Sequence, residues 1–251
     1  MVNPEANKSS PAANQDDILR VEGIHTYIGQ FHILEGVSVH VPRGSITVLL
    51  GRNGAGKTTT LKSIIGLTPP RVGKVIFEGK EIQGRRAFDI ANLGIGYVPE
   101  NRAIFRNLSV VENLKIAERK KGDLERKADF IFSLFPDLKR LYRLPGDHLS
   151  GGQQQMLAVA RALVPDNSLL LIDEPSEGLA PILIEQMMEA IRSLSATTTV
   201  LLVEQNFIMA SQLGSQYYIV DDGKTVREGR MADLIQDKKL VNEMLGVGGA
   251  K

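Results

Sequence analysis

The sequence predicts an α/β fold: a core of apolar strands covered by helices, an antiparallel β segment near the N-terminus, and a helical subdomain inserted at about residues 100–165. Three observations lead there. Residues 168–173 (SLLLID) and 197–203 (TTTVLLV) are almost wholly apolar or β-branched, the pattern of strands buried on both faces. The stretches ILRVEGIHTYI, HILEGVSVHV and SITVLL are short β-branched segments divided by Gly29, Gly36 and the Pro-Arg-Gly of residues 42–44. Between about 109 and 163, apolar residues recur every three or four positions, as on helices with one buried face.

Taken in order, residues 1–17 are polar, show no periodicity and read as a tail, with a second tail at 246–251 and one domain over 18–245. After the three N-terminal strands comes a glycine-rich loop. KTTTLKSIIGL follows, with Leu61, Ile64, Ile65 and Leu67 suited to a helix, and then the strand-like KVIFEG. Ser109 with Glu112 has the spacing of a capping box and opens a helix. A second helix carries Leu124, Ala128, Ile131 and Leu134 up to Pro136, and a third fits residues 151–163. ILIEQMMEAIRSL joins the two apolar strands, QYYIVDDGKTVREG reads as a hairpin turning at Asp222 and Gly223, and MADLI and KLVNEML as terminal helices.

Composition removes several classes of function. Thirty Lys plus Arg against 29 Asp plus Glu give no excess of positive charge that would favour nucleic acid. No Cys and four scattered His exclude a disulfide framework and a thiolate metal site and argue against a zinc enzyme. No apolar run approaches the roughly 18 residues that cross a bilayer, and the first residues lack a signal peptide's apolar stretch, so the chain is expected on the cytoplasmic side.

The strongest motif is Gly51, Arg52, Asn53, Gly54, Ala55, Gly56, Lys57 and Thr58, continued by Thr59, between a strand and a helix. Glycines let backbone N–H groups converge on phosphate oxygens. Lys57 supplies charge to the β and γ phosphates and Thr58 a hydroxyl for Mg²⁺, so the core is expected to be a P-loop nucleoside triphosphate hydrolase. Downstream, the strand LLLID ends in Asp173 and Glu174. Two carboxylates at the end of an apolar strand are costly unless a cation or donors meet them. Asp173 suits the Mg²⁺ ion through its water shell, and Glu174 suits orienting or deprotonating the water that attacks the γ-phosphate. No Asn-Lys-x-Asp guanine-reading motif occurs, so ATP is expected over GTP.

Leu149, Ser150, Gly151, Gly152 and Gln153 extend the case. Ser150 is a good helix N-cap, and the glycines after it expose first-turn N–H groups to an anion. With this motif the chain resembles the ATPases of ABC transporters from Ile18 to about Leu245. The resemblance implies that the Ser150 loop meets ATP held by a second subunit, identical or a close paralogue. It puts Tyr27 where a ring stacks on adenine, Glu100 beside the Mg²⁺ position at the entry to the helical subdomain, where Gln is usual, and Gln205 where most relatives have a γ-phosphate-sensing His. Ser176 and Glu177 stand in a loop that usually reads Ser-Ala-Leu-Asp. NRAIF after Glu100, DEPSEGLAPIL and LLVEQN are similar to ATPases of branched-chain amino-acid importers. That likeness implies two transmembrane permease subunits, an indirect solute-binding partner, and a peripheral position on the cytoplasmic face of a bacterial or archaeal membrane. Importers of urea or neutral amino acids share much of this core. A soluble ABC ATPase of repair or translation lacks support, because neither a long coiled-coil insertion nor a second cassette is present. A nonenzymatic subunit is disfavoured because Lys57, Asp173 and Glu174 all remain. Phe105 and its neighbours are the candidate permease contact.

Overall fold

The computed structural model describes residues 16–245. Its strands are β1 (Asp17–Ile28), β2 (Phe31–Pro42), β3 (Ile46–Leu50), β4 (Val72–Phe77), β5 (Lys80–Glu81), β6 (Ile95–Val98), β7 (Leu169–Asp173), β8 (Thr199–Glu204), β9 (Gln216–Asp221) and β10 (Lys224–Arg230). Its helices are α1 (Lys57–Ile64), α2 (Ala87–Asn92), α3 (Val110–Ile116), α4 (Asp123–Leu134), α5 (Pro136–Arg140), α6 (Gly151–Leu163), α7 (Pro181–Ser195), α8 (Phe207–Leu213), α9 (Met231–Gln236) and α10 (Lys238–Leu245). β1 takes in Asp17, the last residue of the stretch read as a tail, and Asp16 stands in the turn before it; the remaining expectations for the two tails fall on 1–15 and 246–251, outside the described residues.

Two sheets form. A six-stranded sheet runs β10-β9-β3-β8-β7-β6, parallel except for β10, and an antiparallel four-stranded sheet runs β2-β1-β4-β5. Every residue of β3, β7 and β8 is buried, because the sheet is covered on both faces. Val48 and Leu50 of β3 enter one apolar core with Met156 and Leu157 of α6 and Ile191 of α7. Leu49 points the other way, into a second core with Leu61 of α1 and Val21 and Val39 of the antiparallel sheet. This alternation explains strands that read as continuous apolar runs.

The inserted helices pack Leu114, Leu124, Ile131, Phe135 and Leu138 onto α6. Ser109 closes the expected capping box with Glu112. Asn113, buried on α3, accepts from the Phe105 amide at 2.8 Å and donates to the carbonyls of Phe105, Leu108 and Ser109, which fastens the loop before the helix. Five elements were not expected from sequence: the two-residue β5, α2, β6 at the sheet edge, α5, which starts at the proline that ends α4, and α8. The C-terminal ends of the parallel strands β3, β7 and β8 meet on one side, and the candidate site lies there.

Candidate nucleotide-binding site

β3 delivers the chain into a loop whose backbone only glycine accommodates. Gly51 has φ 156°, and a Cβ there would lie 2.3 Å from the Val220 carbonyl oxygen. Gly56 has φ 107°, and its Cβ would lie 2.7 Å from Leu34. α1 then starts without a capping side chain or an acidic residue in its first turn. Its leading N–H groups have no partner within the helix, so the N-terminus favours an anion. A cleft of about 400 Å³ opens over it, lined by Asn53, Gly54, Gly56, Lys57, Thr58 and Thr59 together with Ile28, Ile33, Glu100, Glu174 and Glu177. Gly51 and Ala55 are buried beneath it, and the Arg52 side chain is exposed.

Lys57 is 3% exposed. Its Nζ donates to the carbonyls of Gly51 at 2.9 Å and Arg52 at 3.1 Å and pairs with Glu174 Oε1 at 3.0 Å. A buried ammonium needs such acceptors. Glu174 holds φ 43°, the left-handed region that non-glycine residues rarely occupy, while its N–H donates to Val203 O at 2.9 Å. β7 delivers Asp173 fully buried. Its Oδ1 accepts from Thr58 Oγ1 at 3.1 Å and its Oδ2 from the Tyr97 hydroxyl at 3.2 Å. Burial pushes the Asp173 carboxyl above the usual range, opposed by the two hydroxyl donors. Burial, followed by the Asp173 charge, likewise pushes the Tyr97 phenol up. Desolvation raises Glu100, and the Glu177 carboxyl beside it raises it further.

The chain thus brings together Lys57, Thr58, Glu100, Asp173 and Glu174. Among the described residues no group of three or more His, Cys, Asp or Glu forms a metal cage. One hydroxyl and one carboxylate 3.1 Å apart suit Mg²⁺, which keeps waters and takes phosphate oxygens for its remaining positions.

The other expected site residues lie elsewhere. Ser150 caps α6 in a reciprocal box with Gln153, accepting from its N–H at 3.3 Å while Gln153 Oε1 accepts from the Ser150 N–H at 3.0 Å. Ser150 and Gly151 are exposed, and none of residues 150–153 lines the cleft. Gly152 is buried; a Cβ there would lie 2.3 Å from Leu183 of α7. Gln205 is exposed at the end of β8. Tyr27 does not line the cleft: its ring stacks on His32 at 4.2 Å and 7°, with the Arg71 guanidinium 4.4 Å from its centroid. His148 is exposed in the loop before α6 and pairs with Asp147.

Sequence reasoning assigned no role to Tyr97 or Glu204. Glu204 is buried at the end of β8 and accepts from the Ser176 N–H and hydroxyl and from the Asn206 N–H, so it ties two loops behind the cleft. Burial pushes its carboxyl up to about 7. An acid in an otherwise apolar strand was the available signal.

A family model described as ABC transporter matches residues 34–177. The High-affinity branched-chain amino acid transport ATP-binding protein BraG of Pseudomonas aeruginosa is 40% identical over 232 residues, 91% of this chain and 100% of that one. The Probable branched-chain amino acid transport ATP-binding protein LivF of Archaeoglobus fulgidus is 35% identical, covering 92% and 99%. Among solved structures, a nucleotide-free ATP-binding cassette from an ABC transporter superposes with TM-score 0.80 at 28% identity, covering 92% of this chain and 99% of that one. The ADP conformation of the ATP-binding cassette MJ1267 gives 0.79 at the same identity and coverage.

Proposed function

This chain belongs to the ABC transporter family as an ATP-binding subunit, and from that premise we infer that it hydrolyses ATP to drive an importer of branched-chain amino acids. The observation that carries the reading is the pair of contacts under the phosphate loop, Lys57 to Glu174 and Thr58 to Asp173. The cargo is supported by full-length similarity to BraG and LivF.

The catalytic roles follow from these contacts. The N–H groups opening α1 and the Lys57 ammonium bind the polyphosphate. An incoming γ-phosphate competes with Glu174 for Lys57, and the released carboxylate then orients the attacking water and takes its proton. Thr58 and Asp173 would hold Mg²⁺, which neutralises charge developing on the phosphoryl group. Glu100 lines the same cleft and adds a carboxylate beside that position. The exposed cap at Ser150 to Gln153 serves the ATP of a second subunit, and Gln205 donates its amide to the γ-phosphate.

No helix among the described residues is long and apolar enough to cross a membrane. In this reading permease subunits supply the membrane span and this chain sits against them on the cytoplasmic face, which the similarity to BraG and LivF supports. A cleft of about 520 Å³ runs from Thr58 and Asp173 past Glu100 to Ala103 and Arg161, and the exposed Phe105 ring packed on Arg161 at 4.9 Å supports docking just beyond it, where the helical subdomain begins. The test is uptake of labelled Leu, Ile and Val in cells lacking this chain, complemented by wild type or Lys57→Ala. Restoration by wild type alone is expected, and uptake independent of both would overturn the reading.

A further inference from the structure

We propose that Glu204 is a positioning residue for ATP hydrolysis: from behind the cleft its carboxylate grips Ser176 and so holds Glu174 in the backbone conformation that presents its carboxyl to the attacking water. The inference rests on the reading of Glu174 as the group that orients that water.

The Glu174 backbone is one that has to be held. The residue before a proline is driven toward extended backbone, yet Glu174 precedes the buried Pro175 at φ 43°. Such a conformation persists only where the surroundings over-determine it. On the upstream side Asp173 pairs in register with Val203 of β8, and the Glu174 N–H donates to the Val203 carbonyl at 2.9 Å. That bond fixes where the segment begins. Pro175 has no N–H to give, so Ser176 is the first residue after it whose N–H can fix where the segment leaves. Ser176 directs both of its donors at Glu204, its N–H to Oε1 at 3.1 Å and its hydroxyl to Oε2 at 2.9 Å.

Strand alternation sets Glu204 away from the nucleotide. Val203 enters the core with Leu61 of α1, whereas Leu202, and therefore Glu204, belongs to the face covered by α6 and α7. Glu204 is 1% exposed and does not line the cleft, so it acts through Ser176. Its chemistry suits a grip. The two oxygens of a carboxylate accept both Ser176 donors side by side, and Oε2 also accepts from the Asn206 N–H at 3.1 Å, which fixes the acid on its own strand end. An apolar residue, like Val200 and Leu202 on the same face, would fill the core without the cost of burying a carboxylate.

Single-turnover hydrolysis at saturating ATP, with calorimetric ATP affinity measured on the same proteins, tests this. Assays run well above the value of about 7 to which burial pushes the Glu204 carboxyl, so that the wild type carries the carboxylate. Glu204→Gln keeps the shape but accepts at one oxygen only. It is expected to slow hydrolysis by roughly ten- to a hundredfold, the scale of a small misplacement of a reacting group, and to change ATP affinity by less than about threefold. Ser176→Ala should slow hydrolysis about tenfold, while Ser176→Thr, which keeps the hydroxyl, should match wild type. This pair serves if Glu204→Gln does not fold, and equal rates in the two overturn the proposal. In a Glu174→Gln background, adding Glu204→Gln should cost less than about threefold, because the group it positions is already gone. General loosening of the fold would instead weaken ATP binding and multiply with the loss from Glu174→Gln. Either result, or a wild-type rate in Glu204→Gln, overturns the proposal. Absence of hydrolysis by the wild type, or a wild-type rate in Glu174→Gln, would remove the reading of Glu174 on which it rests.

Discussion

Glu204 is a single acid in an apolar strand, and its burial has a measurable cost. With its carboxyl at about 7 in the fold and near 4.5 as the reference, the folded state holds the extra proton between those values. The stability it contributes is complete below the lower value and lost as pH rises through the upper one, in total about 3 kcal/mol. Glu204→Gln is therefore expected to flatten the fall in unfolding free energy between pH 4.5 and 8, measured by urea titration at several pH values. An unchanged slope would show that another group carries it. Residues of the phosphate loop were legible in the sequence because their chemistry is local: Lys57 finds its carbonyl partners five and six positions back. The hydroxyl of Tyr97 reaches Asp173 across 76 positions and Ser176 reaches Glu204 across 28, and no local spacing announces either. Tyr27 was legible as a ring ahead of Gly51, whereas its packing on His32 and Arg71 depends on the pairing of a bulged hairpin.

At the scale of elements, periodicity recovered α6 at both ends because Ser150 caps it and its apolar stripe is unbroken. It did not recover β6, four residues at the sheet edge, or α2, whose six residues bury only Ile90. Segments this short hold at most about two repeats of their period, too few to stand out from the surrounding sequence. The loop before α3 shows how an element presents a contact. Asn113 ties it down through the backbone of Phe105, Leu108 and Ser109, while the Phe105 ring remains 46% exposed and stacks on Arg161. Phe105→Ser is expected to keep the fold and ATP affinity and to weaken permease binding by about tenfold, the cost of one apolar contact, as measured by pull-down of titrated complexes. Equal permease affinity in the folded variant would move the dock elsewhere.

Among the described residues, α1 opens on the cleft that holds Lys57, while the capped start of α6 at Ser150 does not line it. In the proposed reading one chain supplies the α1 side of a site and a second chain the α6 side, so ATP is expected to join two of them. Glu174→Gln should lower single-turnover hydrolysis by roughly 10² to 10⁴ and accumulate an ATP-dependent dimer in sedimentation or light scattering. Adding Gln205→Ala to that background separates binding from chemistry: loss of the dimer assigns the amide to the γ-phosphate, and full retention removes it from that role.

The order of the six strands has a consequence for synthesis. β3, which leads into the phosphate loop, is made early, but its two neighbours are β8 and β9, which end at Glu204 and Asp221. Until they leave the ribosome, five buried residues, four of them apolar, have no ladder partner in their own sheet. Long-range pairing of this kind is slow and exposes aggregation-prone edges. A nascent chain stalled before residue 199 would carry the entire glycine-rich motif and still grip no nucleotide, since the strand that sets the motif's direction has nothing to lie against.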